Sequence, residues 1–127
     1  MEVPYLDVLR TITNRDLPLT DIETDEFGLP EQRLSDFASA LEWSPMELLL
    51  ASKDKSDLWQ IVRTGLNDSE VLAYESVKWI ERSKNKDKGP MDKGSALLAI
   101  EGDQGHFVSG LRGFRQQAED LAIILSH

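Results

Sequence analysis

The chain holds two histidines, His106 and the terminal His127. No HxH or HxxxH spacing surrounds either, and their partners for a metal would be isolated carboxylates, so no metal site is predicted. His106 reads as a structural or surface residue. There is no cysteine, which excludes disulfides, thiolate ligands and a thiol nucleophile. The serines lack a GxSxG elbow and have no partner base in the sequence. Gly102, Gly105, Gly110 and Gly113 form neither a GxGxxG turn nor a Walker loop. Gly110-Leu111-Arg112-Gly113 stands before the last predicted helix, where Arg112 and Arg115 could hold an anion at the helix start. A plain strand-to-helix turn reads the same residues without a ligand. Glu119 and Asp120 are neighbours on that helix and point apart, a poor acid–base pair. The sequence therefore predicts no catalytic, metal or cofactor site, and the chain is expected not to be an enzyme.

Carboxylates are the other chemistry-bearing group. Asp21, Glu23, Asp25 and Glu26 crowd one stretch and invite a calcium loop. A loop starting at Asp21 needs Gly at its sixth position and Glu at its twelfth, and finds Glu26 and Gln32. What is left is a solvated acidic loop or a loop that docks on a basic surface. The net charge of −9 is uneven: residues 1–60 carry thirteen acids against five bases. That half repels nucleic acid and anionic membranes and favours basic partners, unless the acidity serves solubility alone.

The length, 127 residues, suits one domain or a small domain with an appendage, large enough for a core without staples. The longest apolar runs fall far short of the roughly 20 residues of a membrane span. With no basic-then-apolar N-terminal pattern, the expected location is the cytoplasm, away from membranes.

The elements follow from periodicity. Residues 3–13 read as a helix with Pro4 in its first turn, and residues 15–29 as irregular. Residues 30–42 form a helix with Leu34, Phe37, Ala38 and Leu41 on one stripe. Ser44-Pro45-Met46-Glu47 starts a third helix with the signature of a capping box. Residues 56–64 read as a fourth helix, and a fifth, capped by Asn67 or Asp68, runs to about Lys84. The segment 85–94, rich in lysine and glycine, reads as a linker. Ser95–Glu101 and His106–Leu111 read as a β-hairpin, followed by a helix from Phe114 to Leu125. The expected fold is α+β and mostly helical: a helical domain over 1–84, then a hairpin-plus-helix appendage over 95–127, or all of it one compact domain. The open hairpin edge could pair with residues 17–22 or with a second copy.

Residues 34–53 resemble the helix-turn-helix of phage-repressor-like DNA-binding domains. Ala38 takes the small position, and Phe37, Leu41, Trp43, Leu48 and Ala51 the apolar ones. The resemblance implies a five-helix domain that reads DNA through the second helix of the pair. The chain departs from it in the turn, where Glu42 stands in place of glycine. It departs again on the second helix, where Met46, Leu49 and Leu50 replace residues able to hydrogen-bond base edges. Such a face calls for burial in the core or against protein.

The function expected from these features is a non-enzymatic, acidic interaction module that masks or recruits a basic macromolecule, as immunity proteins, antitoxins and phage inhibitors do. Asp21, Glu23, Asp25 and Glu26 would steer the partner, and Met46, Leu49 and Leu50 would supply contact. The homodimer alternative uses the hairpin edge or the same apolar helix face. A DNA-binding regulator is the second reading. The third is an enzyme whose site is assembled by folding, in which a pocket gathers His106, Arg112 and a carboxylate.

Overall fold

The computed structural model describes residues 1–51, 59–83, 95–106 and 110–126. Over these residues the protein is mixed α/β, with seven helices and one two-stranded parallel sheet. Helices α1 (Val8–Ile12), α2 (Pro18–Ile22), α3 (Thr24–Phe27), α4 (Leu34–Trp43) and α5 (Pro45–Ala51) precede strand β1 (Gln60–Gly65). Helix α6 (Ala73–Ser83) lies between β1 and β2 (Ala96–Glu101), and α7 (Gly110–Leu125) follows.

Strands β1 and β2 pair in parallel from Gln60 opposite Ala96 to Gly65 opposite Glu101. Parallel neighbours need a crossover, and α6 supplies it while packing on both strands. The opposite edge of β1 is taken by Met1–Val3. The Val3 N–H donates to Arg63 O and the Arg63 N–H to Met1 O, both at 2.9 Å. β1 is thus held on both edges, which suits the β-branched Ile61, Val62 and Thr64.

Several sequence expectations are corrected here. The predicted fourth helix is strand β1 from Gln60 onward; its start and Lys53 lie outside the described residues, as does the linker 85–94. Among the described residues, 95–101 forms no hairpin with 106 or 110–111. β2 pairs with β1 instead, residues 110–111 open α7, and residues 107–109 and His127 lie outside the described residues. Residues 17–22 add no strand, because Pro18–Ile22 is helix α2. The first helix begins at Val8, since the residues before it run beside β1 and into the helix start. The α4–α5 pair exists, but it is not a DNA-reading motif. Met46 on its second helix is 0% exposed, and its backbone N–H donates to Leu6 O at 3.0 Å. Helix α5 is thereby docked into the protein and packs on α6. The Leu34/Phe37/Leu41 stripe of α4 is exposed, and Ala40 is the residue that enters the core.

That core gathers Val8, Leu9, Ile12 and Ala40, with Tyr5 and Phe27 packed against it. A buried carboxylate ties it to the crossover. Glu75 of α6 accepts from the backbone N–H groups of Leu6 and Asp7 at 2.9 and 2.8 Å, and from the Thr11 hydroxyl at 2.9 Å. It answers the free amides at the start of α1, as a capping residue would. The two tyrosines, Tyr5 and Tyr74, flank it. Burial, reinforced by the Glu75 charge, pushes both phenols above their ordinary value. Because each is raised in the folded chain, folding keeps this contribution below about pH 10 and loses it as the pH climbs further. A tyrosinate absorbance titration is therefore expected to show no ionisation of folded protein near pH 10, then a joint rise with loss of structure. A normal phenol titration with the fold intact would refute it.

Candidate active site

β1 ends at Gly65, and the chain turns at once under the loop that follows β2. The Leu66 N–H donates to Glu101 O and the Asn67 N–H to Gln104 O, both at 2.9 Å. Asp68 comes next, and its side chain is fully buried. Its Oδ1 accepts from the backbone N–H groups of Glu70 at 2.9 Å and Val71 at 3.0 Å, which fixes the turn ahead of α6. Its Oδ2 lies 3.0 Å from Nδ1 of His106. His106 stands just beyond β2, on the same end of the sheet, with its imidazole partly open to solvent. The pair is thus delivered by the carboxyl ends of two adjoining parallel strands, where sites of open α/β sheets are built.

The two carboxylate oxygens of Asp68 do different work: one shapes the turn and the other orients the imidazole. With Nδ1–H given to Asp68, Nε2 presents a lone pair that can take a proton from a nucleophile. Nε2 faces Glu70 Oε2 at 3.6 Å, longer than a hydrogen bond. A base held by an orienting carboxylate is the arrangement that nucleophilic catalysis requires.

The loop carrying His106 is fastened on three sides. Asn67 Nδ2 donates to Gly102 O at 3.2 Å. A Cβ on Gly65 would meet Gln104 O at 2.5 Å and Gly105 O at 2.6 Å, so the loop lies directly on a bare backbone. From α7, Arg112 holds Asp103 through two contacts of 3.1 and 2.7 Å and keeps its carboxyl below the usual range. Beneath the loop Arg63 joins strand to helix. It donates to both Asp120 oxygens at 3.0 Å and to Glu101 at 3.1 Å.

A cavity of about 310 Å³ opens beside His106, lined by Tyr5, Leu19, Glu23, Phe27 and Glu70 among others. Of the sequence-predicted contact residues, only Glu23 reaches it. Asp21 borders a separate hollow near Arg15 and Glu31. Asp25 and Glu26 are exposed, and Glu26 flanks the stacked rings of Phe27 and Trp43. Met46 is buried, Leu49 half-buried and Leu50 exposed, so the three do not form one surface. Arg112 is paired with Asp103, and Arg115 donates to Glu119 at 3.0 Å; both guanidiniums are engaged within the chain. The sequence reading passed over the Asp68–His106 pair. Its available signal was an aspartate and a histidine each just past a short apolar run, but only a strand reading of residues 60–65 puts both at one sheet end.

The fold is an α/β segment that carries an Asp–His contact, and comparison with known proteins gives its family. The model of the prolyl oligopeptidase family matches residues 1–126. The chain belongs to the prolyl oligopeptidase family. It is 34% identical over 125 residues to dipeptidyl aminopeptidase BI of Pseudoxanthomonas mexicana, covering 97% of this chain and 16% of that protein. It is 30% identical over 125 residues to protease 2 of Moraxella lacunata, covering 97% of this chain and 17% of that one. Among solved structures, oligopeptidase B from Leishmania major superposes with a TM-score of 0.74 at 26% identity, over 99% of this chain and 17% of that one. Oligopeptidase B from Trypanosoma brucei gives a TM-score of 0.75 at 25% identity, with the same coverage. The chain thus spans about one sixth of the length of these relatives.

These findings overturn the functional expectations. The chain is not a relative of phage-repressor DNA-binding domains, and a peptidase family takes the place of the non-enzymatic interaction module and of the DNA-binding regulator. The expectation that it is no enzyme falls with them. Of the third reading, a site assembled by folding, the carboxylate beside His106 is present as the buried Asp68, whereas Arg112 pairs with Asp103 instead.

Proposed function

We propose that these residues form the acid–base part of a serine peptidase site. The observation that carries this reading is the 3.0 Å contact of His106 Nδ1 with the buried Asp68. Aspartate before histidine in the chain is the order of α/β-hydrolase triads, in which the serine elbow comes first. No GxSxG occurs in these 127 residues, so the nucleophile belongs to polypeptide outside them. His106 Nε2 would take the serine proton as the hydroxyl attacks the peptide carbonyl, then give it to the leaving amine. Asp68 would hold the ring in the required tautomer and stabilise the imidazolium.

The cavity supports a substrate class. A side chain entering beside His106 passes the rings of Tyr5 and Phe27 and meets the Glu23 carboxylate, which no cation pairs with among the described residues. Rings with a carboxylate beyond them suit a lysine or arginine side chain before the scissile bond. A chimera settles the reading, with these residues replacing the matching segment of the Pseudoxanthomonas mexicana relative. Hydrolysis of an arginyl amide is expected, and His106→Ala should abolish it. Glu23→Gln should raise KM for the arginyl substrate about tenfold and leave a neutral one nearly unchanged. Hydrolysis that survives His106→Ala would remove His106 from the mechanism.

A further inference from the structure

We propose that Glu70 selects the residue on the leaving-group side of the scissile bond, favouring a cationic side chain there. This rests on the reading of Asp68 and His106 as an acid–base pair. In that reading the C–N bond breaks as the Nε2 proton passes to the amide nitrogen, leaving a neutral imidazole and a free amine. The first residue after the scissile bond therefore lies against Nε2. Glu70 Oε2 is 3.6 Å from that nitrogen. A carboxylate so placed is within one side chain's length of the departing residue.

The placement of Glu70 follows from the site itself. Its backbone N–H donates to Asp68 Oδ1 at 2.9 Å, so the same aspartate that orients His106 also fixes the backbone from which Glu70 projects. The Glu70 side chain is 46% exposed, facing the cavity rather than the core. It is too distant from Nε2 for a hydrogen bond and too exposed to be a packing residue. Its charge is thus available to a substrate. Glu23, also on the cavity, contacts neither member of the pair among the described residues, which separates the two carboxylates into different subsites.

The test uses the chimera described above and two leaving-group mimics, the dipeptide amides Arg-Ala and Glu-Ala with free amino termini. Binding is followed as inhibition of the chimera's arginyl amide hydrolysis. Arg-Ala amide is expected to bind about tenfold more tightly than Glu-Ala amide, as opposite and like charges a few ångströms apart near water would require. Glu70→Gln should bring the ratio close to one, and Glu70→Lys should reverse it. The exposed side chain allows both substitutions without loss of the fold. Equal binding by the unaltered chimera, or a preference that survives Glu70→Gln, overturns the assignment and leaves the Asp68–His106 reading standing. Absence of inhibition by either peptide likewise overturns the assignment, while the His106→Ala variant of the same chimera tests the Asp68–His106 reading separately.

Discussion

Asp68→Asn is expected to lower kcat about 10⁴-fold while leaving the fold in place. The two halves of that result come from the two oxygens of the carboxylate. An asparagine can keep its carbonyl oxygen on the N–H groups of Glu70 and Val71, which now bond Asp68 Oδ1 at 2.9 and 3.0 Å. Its amide nitrogen then points at His106. Being a donor, it forces Nδ1 to become the acceptor and moves the ring proton to Nε2. The nitrogen facing the nucleophile then has no lone pair for the serine proton. Kinetics of the chimera and a thermal melt check this together: a large fall in kcat with an almost unchanged melting temperature is the expected pair. Asp68→Ala should differ by also losing the turn, costing roughly 1–2 kcal/mol of stability. An Asp68→Asn variant retaining most of its activity would show that the pair is structural only.

Gly65→Ala should damage both stability and rate. The added methyl would sit 2.5 Å from Gln104 O and 2.6 Å from Gly105 O. Both are backbone atoms, so no side chain can swing away to make room. The loop must rise, yet it is tethered by Asn67 on one side and Arg112 on the other. Overpacking of this kind costs about 1–3 kcal/mol. A shift near 1 Å at His106 would cost roughly 10²-fold in rate. Denaturant unfolding and kcat of the same variant measure the two effects. The opposite outcome, full activity with unaltered stability, would mean that the loop is not seated on β1 as described.

How much of this could be read beforehand varies by element. The start of α5 was legible from Pro45 at the first helical position, but the capping box is not formed: the buried Ser44 hydroxyl makes no hydrogen bond among the described residues. The face of α4 was not legible. Leu34 is 82% exposed, and Ala40, off the apolar stripe, is the residue in the core. Strand β1 was missed because Trp59–Thr64, with Ile61 and Val62 adjacent and polar residues around them, fits neither period cleanly, and its burial does not alternate along the strand. The acidic stretch was legible as charge, but its roles divide: Glu23 enters the cavity, while Asp25 and Glu26 stay outside. The active pair was hidden for a plainer reason. Asp68 and His106 are 38 residues apart, and only the register of β1 against β2 puts them side by side.

The parallel crossover also bears on the time course of folding. A helix can close within itself, but β1 and β2 gain nothing until the chain between them has been gathered in, at an entropic cost set by the loop. Topologies dominated by such distant pairings fold slowly, well behind local helix formation. The Asp68–His106 contact depends on the β1–β2 pairing, so a chain with its helices formed and that pairing absent would lack the contact. The Asp68–His106 contact is therefore expected to form late in folding, and its appearance would report the native state more faithfully than helix content.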